Sequence, residues 1–445
     1  MSNECPITIF WFRRDLRLHD NAALFHALKE NKKVQCIFIF DKNILDDLKD
    51  SKDVRVAFIH DTLSEIKQTL NSYGADLWVF HDTALDAWQK ILSQNNVDKI
   101  YFNRDYEPYA LNRDQELNIL AESMNIDVCT YKDHVVFESH EVLKDDGNPY
   151  VVFTPYKRKW MSLLESGRLE NNYDVLKAFK CEDYLSNLNP VDEPMAFISL
   201  GAMGFEKTNI AIPSKEVSQS LIKEYGDKRN FPAIHGTSRL GVHYRFGTVS
   251  IREKAAKAIV LSETYLNELI WRDFYSQILH HFPHIVKESF RKKYDNIDWR
   301  NNKEEFEAWC QGKTGYPIVD AGMRELNTTG YMHNRVRMIA ASFLTKHLLI
   351  DWRWGEAYFA QKLLDYDLAS NNGGWQWASG SGTDAAPYFR IFNPWTQQDK
   401  FDKHKAYIKK WIPEYGTPQY PQPIVDHKEA RERCLKTYKE ALDNN

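Results

Sequence analysis

Apolar residues run in short stretches through the first third of the chain, at Ile7–Phe12, Val34–Phe40, Leu77–Phe80, Lys99–Asn103 and Asp127–Tyr131. Runs of that length and β-type composition predict strands. Between them the apolar spacing changes to three and four residues. Ile59, Leu63, Ile66 and Leu70 share one helical face, and Leu85, Trp88 and Leu92, then Leu117, Ala121 and Met124, repeat the pattern. Strands alternating with helices predict an α/β domain over residues 1–131, built on a doubly wound parallel sheet. Such a sheet takes ligands beyond the carboxyl ends of its strands, at the switch point.

The stretch after the first strand is Arg13-Arg14-Asp15-Leu16-Arg17-Leu18-His19-Asp20. It has no glycine, which argues against a GxGxxG dinucleotide site. Its alternating charges read as a structural ion-pair network, and Asp20, ahead of Asn21-Ala22-Ala23-Leu24, as a helix N-cap. From 132 to 205 the pattern weakens into a long interdomain connection, punctuated by Gly147-Asn148-Pro149, Asn189-Pro190 and Glu193-Pro194. Residues 206–445 are helical in period throughout and predict an all-α domain that closes at Asp443-Asn444-Asn445. There is no internal repeat.

Composition narrows the class. With 445 residues, 43% hydrophobic and 27% charged, the chain has the make-up of a globular protein of two or three domains. That excludes a disordered tail, a fibre and a disulfide scaffold. No apolar run approaches the ~18 residues of a membrane span. The opening Met-Ser-Asn-Glu-Cys-Pro does not read as a signal peptide. Six cysteines lie far apart, at 5, 36, 129, 181, 310 and 434, with no CxxC pair. No metal site is expected, and the expected compartment is a reducing cytoplasm.

Charge changes the picture only when divided. Residues 1–220 hold 25 basic and 35 acidic side chains, residues 221–445 hold 33 and 27. A polyanion would therefore meet the second half. Eight of the 13 tryptophans also fall there, between Trp271 and Trp395. Such density usually means core packing but also suits stacking on flat ligands or bases.

Four places could carry chemistry. Thr237-Ser238-Arg239-Leu240-Gly241 could hold a diphosphate, although alone it reads as a helix cap. Glu268, Trp271 and Arg272 share a helical face; alone they read as a Glu–Arg pair beside a packed indole. His333-Asn334-Arg335-Val336-Arg337-Met338 is unusually polar for a core helix. Asp365-Tyr366-Asp367 precedes Asn371-Asn372-Gly373-Gly374-Trp375-Gln376-Trp377. There the paired glycines would let backbone approach a ligand, and the two indoles could face one side of an extended or turning segment. Asp, Asn, Gly and Trp crowded together make a poor core but a good polar-aromatic pocket.

Five separated segments, in order, resemble the DNA photolyase/cryptochrome family. They are Phe10–Asp20 (FWFRRDLRLHD), Asn267–Arg272 (NELIWR), Gly330–Arg335 (GYMHNR), Asn371–Trp377 (NNGGWQW) and Gly382–Pro394 (GTDAAPYFRIFNP). The resemblance spans essentially the whole chain. It is strongest to class I cyclobutane-pyrimidine-dimer photolyases. (6-4) photolyases carry paired histidines where this chain has Met332-His333-Asn334-Arg335, and DASH-type cryptochromes differ around Trp375–Pro394.

The resemblance implies a helical domain holding FAD in a bent form. Tyr225, Thr237, Ser238, Arg239, Leu240 and Gly241 would hold its phosphates and ribityl chain. Tyr265, Arg272, Arg337, Asp365 and Asp367 would line the rest, and Asn371 would face flavin N5, where plant-type cryptochromes have Asp. It also implies repair of UV-damaged DNA by light-driven electron transfer from reduced FAD to a pyrimidine dimer, flipped out of the duplex as the family is known to do. Glu268 and Asn334 would hydrogen-bond the thymine carbonyls, and Trp271, Trp377 and Met338 would pack on the dimer. Arg229, Arg335, Arg390 and Gln397 would contact DNA backbone. Trp299, Trp352 and Trp375 match the family's electron relay from surface to flavin. Folate-binding relatives have an Asn–Glu pair where this chain has Tyr109-Ala110, so an antenna chromophore would be a deazaflavin or flavin before a folate. A monomeric repair lyase is the expected activity. The alternatives are a cryptochrome-type blue-light sensor and a dark flavin oxidoreductase; Asn371, Glu268 and Met338 disfavour the sensor, and no nicotinamide motif supports the oxidoreductase.

Overall fold

The computed structural model describes residues 6–169 and 175–443; the opening residues through Cys5, and Asn444-Asn445, lie outside them. The five apolar runs form strands β1 (Ile7–Phe12), β2 (Val34–Asp41), β3 (Leu77–Asp82), β4 (Val97–Asn103) and β5 (Asp127–Tyr131). They make one parallel sheet in the order β3-β2-β1-β4-β5. β2 is buried along its whole length and β1 from Thr8 onward. Strands covered on both faces read as unbroken apolar runs, which is why this part of the chain was legible as strand. Helices Ala22–Glu30, Val54–Ser72, Ala84–Gln94 and Pro108–Ser123 alternate with the strands. Trp11, Ile37, Trp88, Ile100 and Phe102 share one core, with the Trp11 and Trp88 rings edge-on at 5.5 Å.

The first of these helices is capped by Asn21, not Asp20: the Asn21 side chain accepts from Leu24 N at 3.2 Å. Asp20 has φ +47°, and its carboxylate accepts from Phe179 N, Ser250 and Arg252. The buried Arg252 guanidinium claims this carboxylate, and the neighbouring Asn21 amide takes over the cap. The charged stretch after β1 is indeed an ion-pair network. Arg13 pairs with Asp114, and Arg14 with Asp105 at 3.0 Å and Glu107 at 2.9 Å. Arg17 forks onto Asp133 at 2.9 and 2.8 Å, and Arg252 joins both Asp20 and Asp133. Burial alone would raise the Asp133 carboxyl; the Arg17 and Arg252 guanidiniums outweigh it and hold it far below the usual carboxylate range.

The chain divides into two compact units, both discontinuous. One is Met1–Glu138, Leu164–Lys215 and Leu240–Lys257; the other is Ser139–Leu163, Glu216–Arg239 and Ala258–Asn445. The sequence division at 131 and 205 is contiguous, and the folded units are not. Two placements account for the difference. The stretch expected to be a plain connection contains the helix Phe153–Leu169, whose Trp160 donates to Asp273 at 3.0 Å inside the second unit. Arg252, far along the chain, is drawn into the buried acids of the first.

The second unit is predominantly helical among the described residues, around a core that includes Trp309, Met323, Val336, Leu344, Trp352, Phe359 and Trp375. Among the described residues no helix is long and apolar enough to cross a membrane, no three potential metal ligands cluster, and the five cysteines are free thiols.

Candidate active site

Within the second unit lies a cavity of about 430 Å³, a size typical of small-ligand sites. Helix Glu263–His281 turns Glu268, Trp271, Arg272 and Tyr275 toward it and buries Leu266, Leu269, Ile270 and Phe274. That split follows from the i, i+3, i+4, i+7 spacing. Trp271 lies flat on Phe153, ring centroids 3.8 Å apart and 4° from parallel. Glu268 accepts from Arg229 Nη1 at 2.5 Å, a partner 39 residues away that the i+4 spacing to Arg272 does not reveal.

Helix Asn334–Ser342 contributes Asn334, Arg337, Met338 and Ala341. His333 caps it, accepting from Arg335 N at 3.2 Å. Burial, then the nearby arginines, push the His333 ring down to about 4, so it is neutral at ordinary pH. Arg337 forks onto Asp365 at 3.0 and 2.9 Å.

Asp367 caps helix Leu368–Ser379, accepting from Ser370 N at 3.0 Å. The segment is helical, so Trp375 and Trp377 stand on different faces; Trp375 is buried, Trp377 half-buried, and both still reach the cavity wall. The paired glycines serve two ends. A Cβ at Gly373 would collide with the Tyr275 ring, so this glycine lets two helices touch, whereas Gly374 faces open space on the cavity. Asn371 Nδ2 donates to Glu356 O at 3.1 Å and to Glu356 Oε1 at 2.8 Å. Its Oδ1 is left as the atom available to the cavity. Burial raises the Glu356 carboxyl, against the lowering effect of this bond.

The walls thus combine apolar and aromatic surfaces for a flat ring, from Trp271, Met338, Phe359, Leu363 and Trp375, with a few fixed polar groups. That donor set fits a flavin. Residues 265–419 match the FAD binding domain of DNA photolyase, and residues 8–173 the DNA photolyase domain. The deoxyribodipyrimidine photo-lyase of Escherichia coli is 35% identical over 97% of this chain and 98% of its own. The chain belongs to the DNA photolyase family. It is a flavoprotein enzyme whose cofactor is FAD. This photolyase matches the class III photolyase from Agrobacterium tumefaciens at 30% identity and TM-score 0.85, over 100% of this chain and 99% of that one. It matches the archaeal photolyase from Sulfolobus tokodaii at 34% identity and TM-score 0.80, over 98% and 100%; that structure holds two FAD molecules.

All five dimer-contacting candidates, Glu268, Trp271, Asn334, Met338 and Trp377, line the photolyase cavity, as do Arg229, Arg272, Arg337, Asp365, Asp367 and Asn371. Others lie off its wall. Ser238 accepts from Tyr265 at 3.0 Å, Thr237 and Tyr331 hydroxyls meet at 3.3 Å, and Arg239 sits 4.6 Å over the Tyr331 ring. Tyr225 packs edge-on against Tyr265 at 5.1 Å. Leu240, buried, and Gly241, which opens the helix Gly241–Phe246, belong to the first unit. Arg335 donates to Asn230 at 2.7 Å and stacks over Phe401; Arg390 is exposed, and Gln397 is half-buried on helix Pro394–Phe401. Trp352 and Trp375 share one core, and half-buried Trp299 packs against it.

Several functional neighbours escaped the sequence reading. Tyr275 follows Trp271 by four, so helical spacing could have found it, and Ser370 immediately precedes Asn371. Glu356, Phe359, Leu363 and Trp309, the last 6.0 Å from Trp375, carry no local sign of their place.

Proposed function

We propose that this photolyase splits cyclobutane pyrimidine dimers in UV-damaged DNA. The carrying observation is the single cavity in which Asn371 and Trp375 lie with Glu268, Trp271, Asn334, Met338 and Trp377. Reduced FAD, which Arg272, Arg337, Asp365, Asp367 and Asn371 would hold, would supply the light-driven electron that opens the cyclobutane ring. With its Nδ2 held by Glu356, Asn371 would present an acceptor oxygen toward flavin N5, the orientation suited to a protonated nitrogen. Asn334, exposed at the rim, donates its amide to a thymine carbonyl, where negative charge grows when the dimer holds the extra electron. Glu268, ion-paired with the Arg229 guanidinium, faces the dimer as a hydrogen-bond acceptor. Its partners on the dimer are therefore the ring N–H groups. Trp271, Trp377 and Met338 exclude water from the ring that breaks.

Dimer rather than (6-4) repair is supported by the stretch Met332-His333-Asn334-Arg335, which carries one histidine and not a pair, and that histidine is buried, neutral and occupied as a helix cap. Arg229, Arg335, Arg390 and Gln397 would bind the backbone around the lesion, and Trp299, Trp352 and Trp375 would relay electrons inward to the flavin site. Tyr109 donates to Asp41 at 2.6 Å and Ala110 is buried, which favours a deazaflavin or flavin antenna over a folate. The test is blue-light loss of thymine dimers from irradiated DNA by the reduced holoprotein. Dimers that persist in the light, as they do in the dark control, would overturn the reading.

A further inference from the structure

Arg229 and Glu268 meet at the cavity wall from two separate helices. Arg229 closes the short helix Tyr225–Lys228, and Glu268 lies within Glu263–His281. Nη1 donates to Oε1 at 2.5 Å, with side chains 24% and 31% exposed, so solvent and a polyanion can still reach the pair. The guanidinium also lies 5.3 Å from the Tyr225 ring centre, which holds it in place. Beside it, Asn230 accepts from Arg335 at 2.7 Å, and Arg335, part-buried, feels the Arg229 charge. Two arginines therefore stand together at this edge, and Glu268 neutralises one of them.

We propose that this ion pair discriminates damaged from ordinary DNA: Glu268 withholds Arg229 from backbone phosphate until a lesion in the cavity supplies Glu268 with hydrogen-bond donors. The proposal rests on the dimer-repair reading. Which polar groups end up satisfied decides the balance. A phosphate on ordinary duplex that recruits Arg229 leaves a part-buried carboxylate without its cation, and that loss offsets the gain from the phosphate contact. A flipped dimer changes the balance. Its ring N–H groups donate to Glu268, the guanidinium passes to the phosphate, and no polar group is left unmet. Coupled exchange of this kind differs from plain repulsion, in which Glu268 would weaken phosphate binding whether or not Arg229 were present.

A double-mutant cycle separates the two. FAD-loaded protein is titrated in the dark, at several salt concentrations, with a fluorescent undamaged duplex and with the same duplex carrying one thymine dimer. Glu268→Gln is expected to tighten binding of the undamaged duplex about two- to fivefold, the range for a partly exposed ion pair. It should steepen the log–log salt slope by about 0.9, for one added phosphate contact. Preference for the dimer should fall. In an Arg229→Ala background the same substitution should change none of these. Unchanged binding of the undamaged duplex by Glu268→Gln would overturn the proposal, and so would a gain that persists without Arg229. Flavin absorbance reports that each variant is folded, and Glu268→Ala repeats the cycle if Gln is not tolerated. A wild-type protein with neither dimer preference nor light-dependent repair would overturn the repair reading instead; the undamaged-duplex cycle does not depend on it.

Discussion

Asn371 is held by an acceptor that sequence did not single out, and removing that acceptor makes a sharp test of the site. Its amide nitrogen donates twice to Glu356, once to the backbone oxygen and once to the carboxyl. At a net worth of about 1 kcal/mol each, inverting the amide costs about 2 kcal/mol in the native protein. Glu356→Leu leaves only the backbone bond, about 1 kcal/mol, so the inverted amide becomes about fivefold more populated. An inverted amide offers N–H to a protonated flavin N5, donor against donor. The expected outcome in an anaerobic redox titration of the bound FAD is a lower yield of the N5-protonated one-electron form. Glu356→Gln should behave as wild type, because its amide oxygen can accept in the same place. Both variants should also differ from wild type in the pH dependence of stability, because neither side chain titrates. Burial raises the Glu356 carboxyl above its ordinary value of 4.5. The folded state therefore keeps a proton that the unfolded chain releases. The stability this proton contributes is whole below the ordinary value and is lost as pH rises through the folded one. Glu356→Gln should abolish that slope. If Glu356→Leu titrates like wild type while Asn371→Asp does not, Asn371 is oriented by something other than Glu356 and the reasoning fails.

Trp299→Phe should block light-driven reduction of oxidised FAD and spare repair by pre-reduced protein, since Phe keeps most of the volume but resists oxidation; normal photoreduction would return Trp299 to a packing role. Arg252→Ala strands Asp20 and Asp133 with one cation fewer and should cost about 3–5 kcal/mol in urea unfolding, whereas a loss under about 1 kcal/mol would mean that the cluster relaxes. The Asp133 contribution is present above the ordinary carboxylate range and lost as pH falls through its depressed folded value, so the gap between wild type and Arg252→Ala should narrow in acid. Gly355→Ala would drive a Cβ into the Trp375 ring and Leu344; weaker FAD binding is expected at a stability cost of about 1–3 kcal/mol, and unchanged flavin fluorescence on dilution would refute it.

The residue pattern alone carried what is local. Strand and helix in the first unit were legible because burial repeats with the period of the element, and β1 and β2, covered on both faces, could only be unbroken apolar runs. The family, and with it the FAD domain, was legible because the segments NELIWR, GYMHNR and NNGGWQW each carry their chemistry within a few residues. Tertiary structure decided everything that depends on a partner far along the chain. Asp20 left its cap for Arg252, and Glu268, expected to pair with Arg272 one turn on, found Arg229 from 39 residues away. Gly373 met Tyr275 and left only Gly374 to the cavity, and Glu356 fixed Asn371. A charged or polar side chain is satisfied by whichever complementary group folding brings within about 3 Å, and periodicity holds no record of that distance. The same physics made both units discontinuous, because a buried carboxylate such as Asp133 needs its guanidinium wherever in the chain Arg252 happens to lie.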